Sequence, residues 1–191
     1  MPIAKPAPLL APRFMQALLD GTGLLVRGSA LAAALALSGC ATSVRLPAAP
    51  DARFDPASWF TGRSHGDGTL HKLFSSPVRT SVDSIGRSDG AGGLVLDQTI
   101  RERDKPVRTR QWVMRPAGPN HFTGTLTEAT GPVDVTISGP RATIRYAMKG
   151  GLHVDQELAL QADGTTLLNR LSVTKLGLEV AHLDETIRKA G

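Results

Sequence analysis

Residues 133–148 read Val-Asp-Val-Thr-Ile-Ser-Gly-Pro-Arg-Ala-Thr-Ile-Arg-Tyr-Ala-Met, two apolar alternations joined by Gly139-Pro140. A period of two places successive side chains on opposite faces of a strand, so one face of each segment is buried and the other meets solvent. The stretch therefore predicts two antiparallel strands joined by a tight turn. The apolar residues of the alternation are Val133, Val135, Ile137, Ile144, Tyr146 and Met148.

Similar alternations occupy most of the chain from residue 59 onward, and short turn sequences separate them. The turns include Asp89-Gly90, Gly150-Gly151 and Asp163-Gly164, whose residues tolerate the positive φ that tight hairpins need. The pattern predicts about nine or ten strands and no amphipathic helix of convincing length. We therefore expect an all-β fold, an antiparallel up-and-down barrel, because closure removes exposed edges. A barrel of this size has room for one small ligand.

The first strand is predicted from Trp59-Phe60-Thr61-Gly62, followed by Gly66 and Gly68. Small residues at these intervals are expected where a sharply coiled barrel bends. The segment resembles the opening of calycin barrels, although here the aromatic residues precede the glycine.

The lone cysteine of the chain ends the sequence Leu37-Ser38-Gly39-Cys40, behind the apolar run 30–37 and the positive charge of Arg27. This order resembles the lipobox of bacterial lipoproteins, in which the cysteine is lipidated and the preceding signal peptide is removed. The apolar run is shorter than the roughly 20 residues that a membrane-spanning helix needs. The expected segments are a lipoprotein-type signal peptide over 1–39, lipidated Cys40 with a tether over 40–53, and the barrel domain over 54–191.

The charge balance excludes some classes of partner. Without residues 1–39 the chain has 19 basic and 16 acidic residues, a net charge of about +3. The charges alternate in sign, whereas a surface that binds nucleic acid needs a clustered basic stripe. A single cysteine provides no disulfide framework and no thiolate metal site. The composition therefore favours one exported domain that binds no nucleic acid.

A motif of serine hydrolases is present in the wrong structural context. Gly62-Arg63-Ser64-His65-Gly66 matches the Gly-x-Ser-x-Gly nucleophile elbow, which requires a strand before the serine and a helix after it. A turn and a strand follow here instead. No two histidines have metal-ligand spacing, so we expect no metal. No other motif indicates a cofactor or a catalytic residue, and a binding protein is therefore favoured over an enzyme. The histidines are His65, His71, His121, His153 and His182.

Residues 107–114 combine positive charge with an aromatic ring, because alternation places Arg108, Arg110, Trp112 and Met114 on one face. On the inner face of a barrel, a guanidinium beside an indole would bind an anionic headgroup while the apolar residues contact a chain. On the outer face or near the rim, the same residues would form a cation–π pair. The pattern favours the second arrangement and leaves Arg108, Arg110 and Trp112 as candidate ligand-binding residues.

Several short sequences together resemble one protein family. They include Phe54-Asp55-Pro56, Arg108-x-Arg110-x-Trp112, Leu168-Asn169-Arg170 and Lys175-Leu176-Gly177. From about Phe54 to Ile187 the chain is similar to proteobacterial lipoproteins with the domain of unknown function DUF3833. The resemblance implies a small periplasm-facing lipoprotein with a calycin-like or lipocalin-like barrel and a lipid-related role.

Two adjacent polar residues, Asn169 and Arg170, lie between leucines in the most specific of these sequences. If they are buried they must find polar partners. They are therefore candidate ligand-binding residues, and the alternative is that they satisfy strand ends or bracket a turn.

The functional hypothesis is a lipid-anchored envelope protein whose barrel binds a small amphipathic ligand, a fatty acid or another lipid, without catalysis. The first alternative is a scaffold lipoprotein with a filled barrel, and the second is an enzyme that acts on lipid. Enclosed space of roughly 300 Å³ distinguishes a ligand site from a filled barrel. Ala41 occupies the position at which inner-membrane retention typically uses aspartate, so the resemblance predicts the periplasmic face of the outer membrane.

Overall fold

The computed structural model describes residues 45–190, which lie within one compact unit, Val44–Gly191. Cys40, Ala41 and the apolar run before them lie outside the described residues, so the predicted lipid anchor stays a prediction. Over 45–190, no helix is long and apolar enough to cross a membrane.

One short helix and ten strands make up residues 45–190. The helix is α1, Pro56–Phe60, and the strands are β1 Gly62–Lys72, β2 Val78–Ser88, β3 Leu94–Glu102, β4 Arg108–Gly118, β5 His121–Leu126, β6 Val133–Ser138, β7 Arg141–Met148, β8 Leu152–Leu160, β9 Thr166–Lys175 and β10 Leu178–Lys189.

The strands form a closed antiparallel barrel in which sequence neighbours pair and β1 closes against β10. The predicted all-β up-and-down barrel is thus confirmed, with ten strands. Residues 133–148 form the β6–β7 hairpin, in which Val135 lies opposite Ile144. Val133, Val135 and Ile137 are buried while the residues between them are exposed, as a period of two requires.

The barrel has two distinct ends because hairpin connections alternate between them. The helix α1 lies at the end that carries the β2–β3 connection and packs against both of these strands. We call this the helix end. The connections β1–β2, β3–β4, β5–β6, β7–β8 and β9–β10 lie at the opposite end.

The expectation that the first strand includes Trp59 and Phe60 is wrong, since both residues lie on α1. Asp55 caps this helix by accepting a hydrogen bond from the Ala57 N–H at 3.1 Å, and Pro56 has the φ that a first helical turn needs. Trp59 and Phe60 are buried and pack edge-on against Phe54. Local capping and aromatic burial together favour the helix over an extended strand.

The structure also differs from the expected tether over residues 45–53. Leu46 and Ala49 are buried, and the Ala49 N–H donates to the Leu160 carbonyl at 2.9 Å. The Arg141 guanidinium donates to the Leu46 carbonyl. This part of the segment therefore packs on the barrel wall.

Candidate functional site

A narrow cavity lies inside the barrel between its middle and the helix end. Space unoccupied by protein atoms amounts to about 680 Å³, part of it open to solvent, but the centre of a water molecule fits into only about 60 Å³. This accessible volume is well below the roughly 300 Å³ expected of a ligand site, so the cavity as it stands has room for a thin chain at most. The apolar lining near α1 is Phe60, Leu94, Leu96, Met114, Phe122, Val135, Ile144, Leu158 and Ile187.

One polar group in the cavity is organised by the buried side chain of Gln98. Its Oε1 accepts hydrogen bonds from Arg110 Nε at 2.7 Å and Trp112 Nε1 at 2.8 Å, while its Nε2 donates to Ser84 Oγ at 2.9 Å. The Arg110 guanidinium carbon lies 5.4 Å from the Trp112 ring centroid, a cation–π distance. These contacts fix the guanidinium inside the barrel.

The two terminal nitrogens of Arg110 make no hydrogen bond or ion pair with any other residue in 45–190. Arg110 is half-buried, and neither nitrogen is among the buried polar atoms without a partner, so both reach solvent-accessible space. The barrel therefore presents a fixed pair of donors to its cavity.

The second polar group is a chain of three buried side chains on β8, β9 and β10. Gln156 Nε2 donates to Asn169 Oδ1 at 2.9 Å, and Asn169 Nδ2 donates to Glu185 Oε2 at 2.7 Å. Gln156 Oε1 is buried and has no hydrogen-bond partner among residues 45–190. The acceptor capacity of this oxygen is therefore unused in this part of the chain.

Glu185 is buried to all but 8% of its surface, and this burial raises the pKa of its carboxyl group. The hydrogen bond from Asn169 and the charge of Arg110 act in the opposite direction but do not offset the burial. A raised pKa shifts the Glu185 carboxyl group towards its neutral form, although the charge of Arg110 favours the ionised one.

Gly66 on β1 makes room for this carboxyl group. A Cβ atom at position 66 would lie 2.8 Å from Glu185 Cδ and 3.3 Å from its Cγ. Both distances are shorter than carbon atoms ordinarily adopt in a packed core. The lack of a side chain at Gly66 thus leaves the space that the Glu185 carboxyl group occupies.

The candidate residues of β4 face the barrel interior, whereas the sequence favoured the outer face or rim. Trp112 and Met114 are 6% and 7% exposed, so burial of large apolar side chains decides which face turns inward. Arg110 and Trp112 line the cavity, and their predicted cation–π contact is present there. Arg108 shares their face but lies further from the helix end, where it bonds Glu102 Oε1 at 2.6 Å and approaches Glu128 at 3.7 Å.

The two adjacent candidates on β9 separate to opposite faces. Asn169 lines the cavity, whereas Arg170 lies on the outer wall and donates from Nε to Asp184 Oδ1 at 2.8 Å. The site thus combines Arg110, Trp112 and Asn169, but neither Arg108 nor Arg170.

Sequence reasoning missed three polar residues of the cavity: Gln98, Gln156 and Glu185. Gln98 and Gln156 occupy apolar positions of the β3 and β8 alternations, and a polar residue on a buried face was the available signal. Glu185 has no such signal. Over residues 45–190, no group of three or more His, Cys, Asp or Glu side chains could hold a metal ion.

Several solved structures resemble this barrel. The S-type phycobiliprotein lyase CPES from Guillardia theta aligns with a TM-score of 0.55 and 7% identity over 70% of this chain and 90% of that one. Rv2717c from M. tuberculosis aligns with a TM-score of 0.57 and 16% identity over 76% of this chain and 100% of that one. A DUF3598-family protein of unknown function from Nostoc punctiforme aligns with a TM-score of 0.55 and 12% identity over 73% and 50%. At such identities the likeness shows a common barrel fold.

The sequence itself identifies the family. No curated protein matches it significantly. The profile of a family described as a protein of unknown function, DUF3833, matches residues 34–189 and so covers every strand of the barrel. The chain therefore belongs to the DUF3833 family.

Proposed function

We propose that the barrel binds a small amphipathic ligand with an anionic head, a fatty acid or another acyl lipid, and performs no catalysis. The observation that carries this proposal is Arg110, a half-buried cation that lines a mainly apolar cavity and whose terminal nitrogens are unpaired among residues 45–190. A carboxylate or phosphate would accept from both nitrogens in a bidentate pair.

The lining orients such a ligand. Its acidic head lies at mid-barrel against Arg110, and its chain extends towards α1 between Leu96, Met114 and Ile144. The small volume accessible to water, about 60 Å³, favours an unbranched chain over a bulky ring system. Gln156 Oε1 adds an acceptor for a hydroxyl group near the head.

The proposal includes the location of the protein. Leu37-Ser38-Gly39-Cys40 supports lipidation of Cys40 after removal of residues 1–39, and Ala41 supports sorting to the periplasmic face of the outer membrane. A barrel held beside a membrane in this way would meet acyl ligands at their source.

Native mass spectrometry of the purified protein is the most direct test, followed by displacement of a fluorescent fatty acid. We expect a bound mass in the range of a single acyl lipid. Arg110→Met should weaken binding by about tenfold or more, since a hydrogen bond to a charged group contributes about 1.5–3 kcal/mol. The matched control is Arg145→Met, because Arg145 is 66% exposed on the outer wall and bonds Asp155 at 2.8 Å. Equal affinities of the two variants would contradict the assigned role of Arg110.

The small space accessible to water, about 60 Å³, favours a second candidate, a scaffold protein with a filled barrel. The same experiment separates the two. If only the protein mass is seen, and fatty acids neither raise the melting temperature nor displace the probe, the filled barrel is the correct description.

A further inference from the structure

The exposed large apolar side chains are concentrated at one end of the barrel. We define the loop rim as the five connections opposite the helix end, residues 73–77, 103–107, 127–132, 149–151 and 176–177, with the strand residue on either side of each. Of the six large apolar residues exposed within 45–190, all but Ile85 belong to this rim. They are Leu73, Phe74, Val107, Leu176 and Leu178.

Two of these residues occupy costly backbone positions. Phe74 is 98% exposed with φ of 60°, and Leu176 is 92% exposed with φ of 50°. Glycine or asparagine adopts this left-handed conformation more easily than a bulky side chain does. Neither side chain is buried in the core, so folding alone does not explain an apolar residue at either hairpin tip.

The charge of the rim differs from that of the helix end. The rim has six basic residues against three acidic ones, a net charge of +3. The four connections at the helix end, counted in the same way, have Arg141 against Asp89 and Asp163, a net charge of −1. The charged rim residues are Lys72, Arg103, Lys105, Arg108, Lys149, Lys175, Glu102, Asp104 and Glu128.

We propose that the loop rim docks on the surface of an anionic phospholipid bilayer. Phe74, Leu176 and their apolar neighbours enter the interface, while basic residues such as Arg103 and Lys149 contact lipid phosphates. The apolar residues project from three separate hairpins. A fluid bilayer accommodates such separate tips at any spacing, whereas a protein partner would need a matching pocket for each.

This docking depends neither on a ligand in the cavity nor on lipidation of Cys40. It can therefore be tested with the compact unit, residues 44–191, which includes the closed barrel and every buried residue of its described core. Removing residues 1–43 ensures that the predicted anchor contributes nothing to binding.

Co-sedimentation with vesicles is the measurement. We expect residues 44–191 to bind phosphatidylcholine vesicles with about 25 mol% phosphatidylglycerol at about 0.1 M salt, and to dissociate at about 0.5 M salt because screening weakens surface charge interactions. Phe74→Ser combined with Leu176→Ser should weaken binding about tenfold or more, because both apolar tips are lost.

Two further variants complete the test. Arg103→Glu with Lys149→Glu changes the rim charge from +3 to −1 and should abolish binding to the anionic vesicles. Ile85→Ser is the matched control, since Ile85 is 44% exposed on the outer wall, and its binding should stay within about twofold of the wild type. All variants change exposed residues, so unchanged melting temperatures verify their fold. Failure of the wild-type unit to bind anionic vesicles, or equal binding by the rim variants, would overturn the proposal.

Discussion

The effect of Gly66→Ala on the free energy of unfolding tests whether the buried side chain of Glu185 is held in place. The new Cβ would lie 2.8 Å from Glu185 Cδ. The carboxyl group could move aside only by giving up its 2.7 Å hydrogen bond from Asn169. We therefore expect Gly66→Ala to destabilise the wild-type protein although alanine suits a strand better than glycine.

The magnitude follows from two opposing effects. The displaced carboxyl group loses its hydrogen bond from Asn169 and leaves a buried amide donor without that partner, which costs about 1–3 kcal/mol. Gly66 is not among the glycines with positive φ, so alanine fits its backbone and should gain about 0.4–1 kcal/mol by restricting the unfolded chain. From the mid-range values of the two effects, the net expectation is a loss of about 1.3 kcal/mol in the free energy of unfolding.

The same substitution should have the opposite sign when Glu185 is alanine. The collision is then removed and the gain of about 0.4–1 kcal/mol remains. Gly86→Ala is the matched control, because its Cβ would meet the backbone carbonyl group of Phe60, with the carbonyl carbon 2.7 Å away. It should destabilise both backgrounds equally.

Urea unfolding of the single and double variants, followed by tryptophan fluorescence, measures these differences, provided that the m-values agree. If Gly66→Ala costs the same with and without the Glu185 carboxyl group, the collision is elsewhere and our account of the site is wrong. If it is neutral in the wild type, Glu185 is not held in place.

The remaining predictions concern ionisation and sorting. Burial raises the pKa of Glu185 in the folded protein, so this group ionises at lower pH in the unfolded chain. The contribution of Glu185 to stability is therefore complete below about pH 4.3 and falls as the pH rises towards its folded pKa. Glu185→Gln should therefore gain stability relative to the wild type as the pH rises above this value, and parallel profiles in urea unfolding at several pH values would contradict the burial argument. Ala41→Asp should move the protein from the outer to the inner membrane in cell fractionation, whereas an unchanged distribution would count against the assigned location. Cys40→Ser should abolish incorporation of labelled palmitate, and retained label would exclude lipidation at this residue.

The sequence predicted the features that depend on neighbouring residues. Alternation over 133–148 and the turn at Gly139-Pro140 specify a hairpin, and repeating this pattern along the chain specifies a meander and then a barrel. Asp55 and Pro56 are also typical of a helix start, so helix α1 was predictable from neighbouring residues. It was missed because Trp59 and Phe60 were assigned to the first strand.

The cavity could be predicted only in part. Asn169 was detectable as a polar residue among leucines, but its hydrogen bonds to Gln156 and Glu185 depend on the pairing of β9 with β8 and β10. Residues separated by 13 and 16 positions along the chain meet there because of strand register. No local pattern specifies that register.

Alternation and turns thus predicted about nine or ten strands in antiparallel order, and Leu-Ser-Gly-Cys predicted a lipid anchor, since each prediction depends on residues close together in the chain. The folded barrel decided which face of β4 and of β9 turns inward. Arg110 therefore lines the cavity, whereas Arg170 lies on the outer wall. A period of two is identical for both faces of a strand. The choice between them is made by burial of Trp112 and Met114 against side chains from distant strands, which exists only when the barrel has closed.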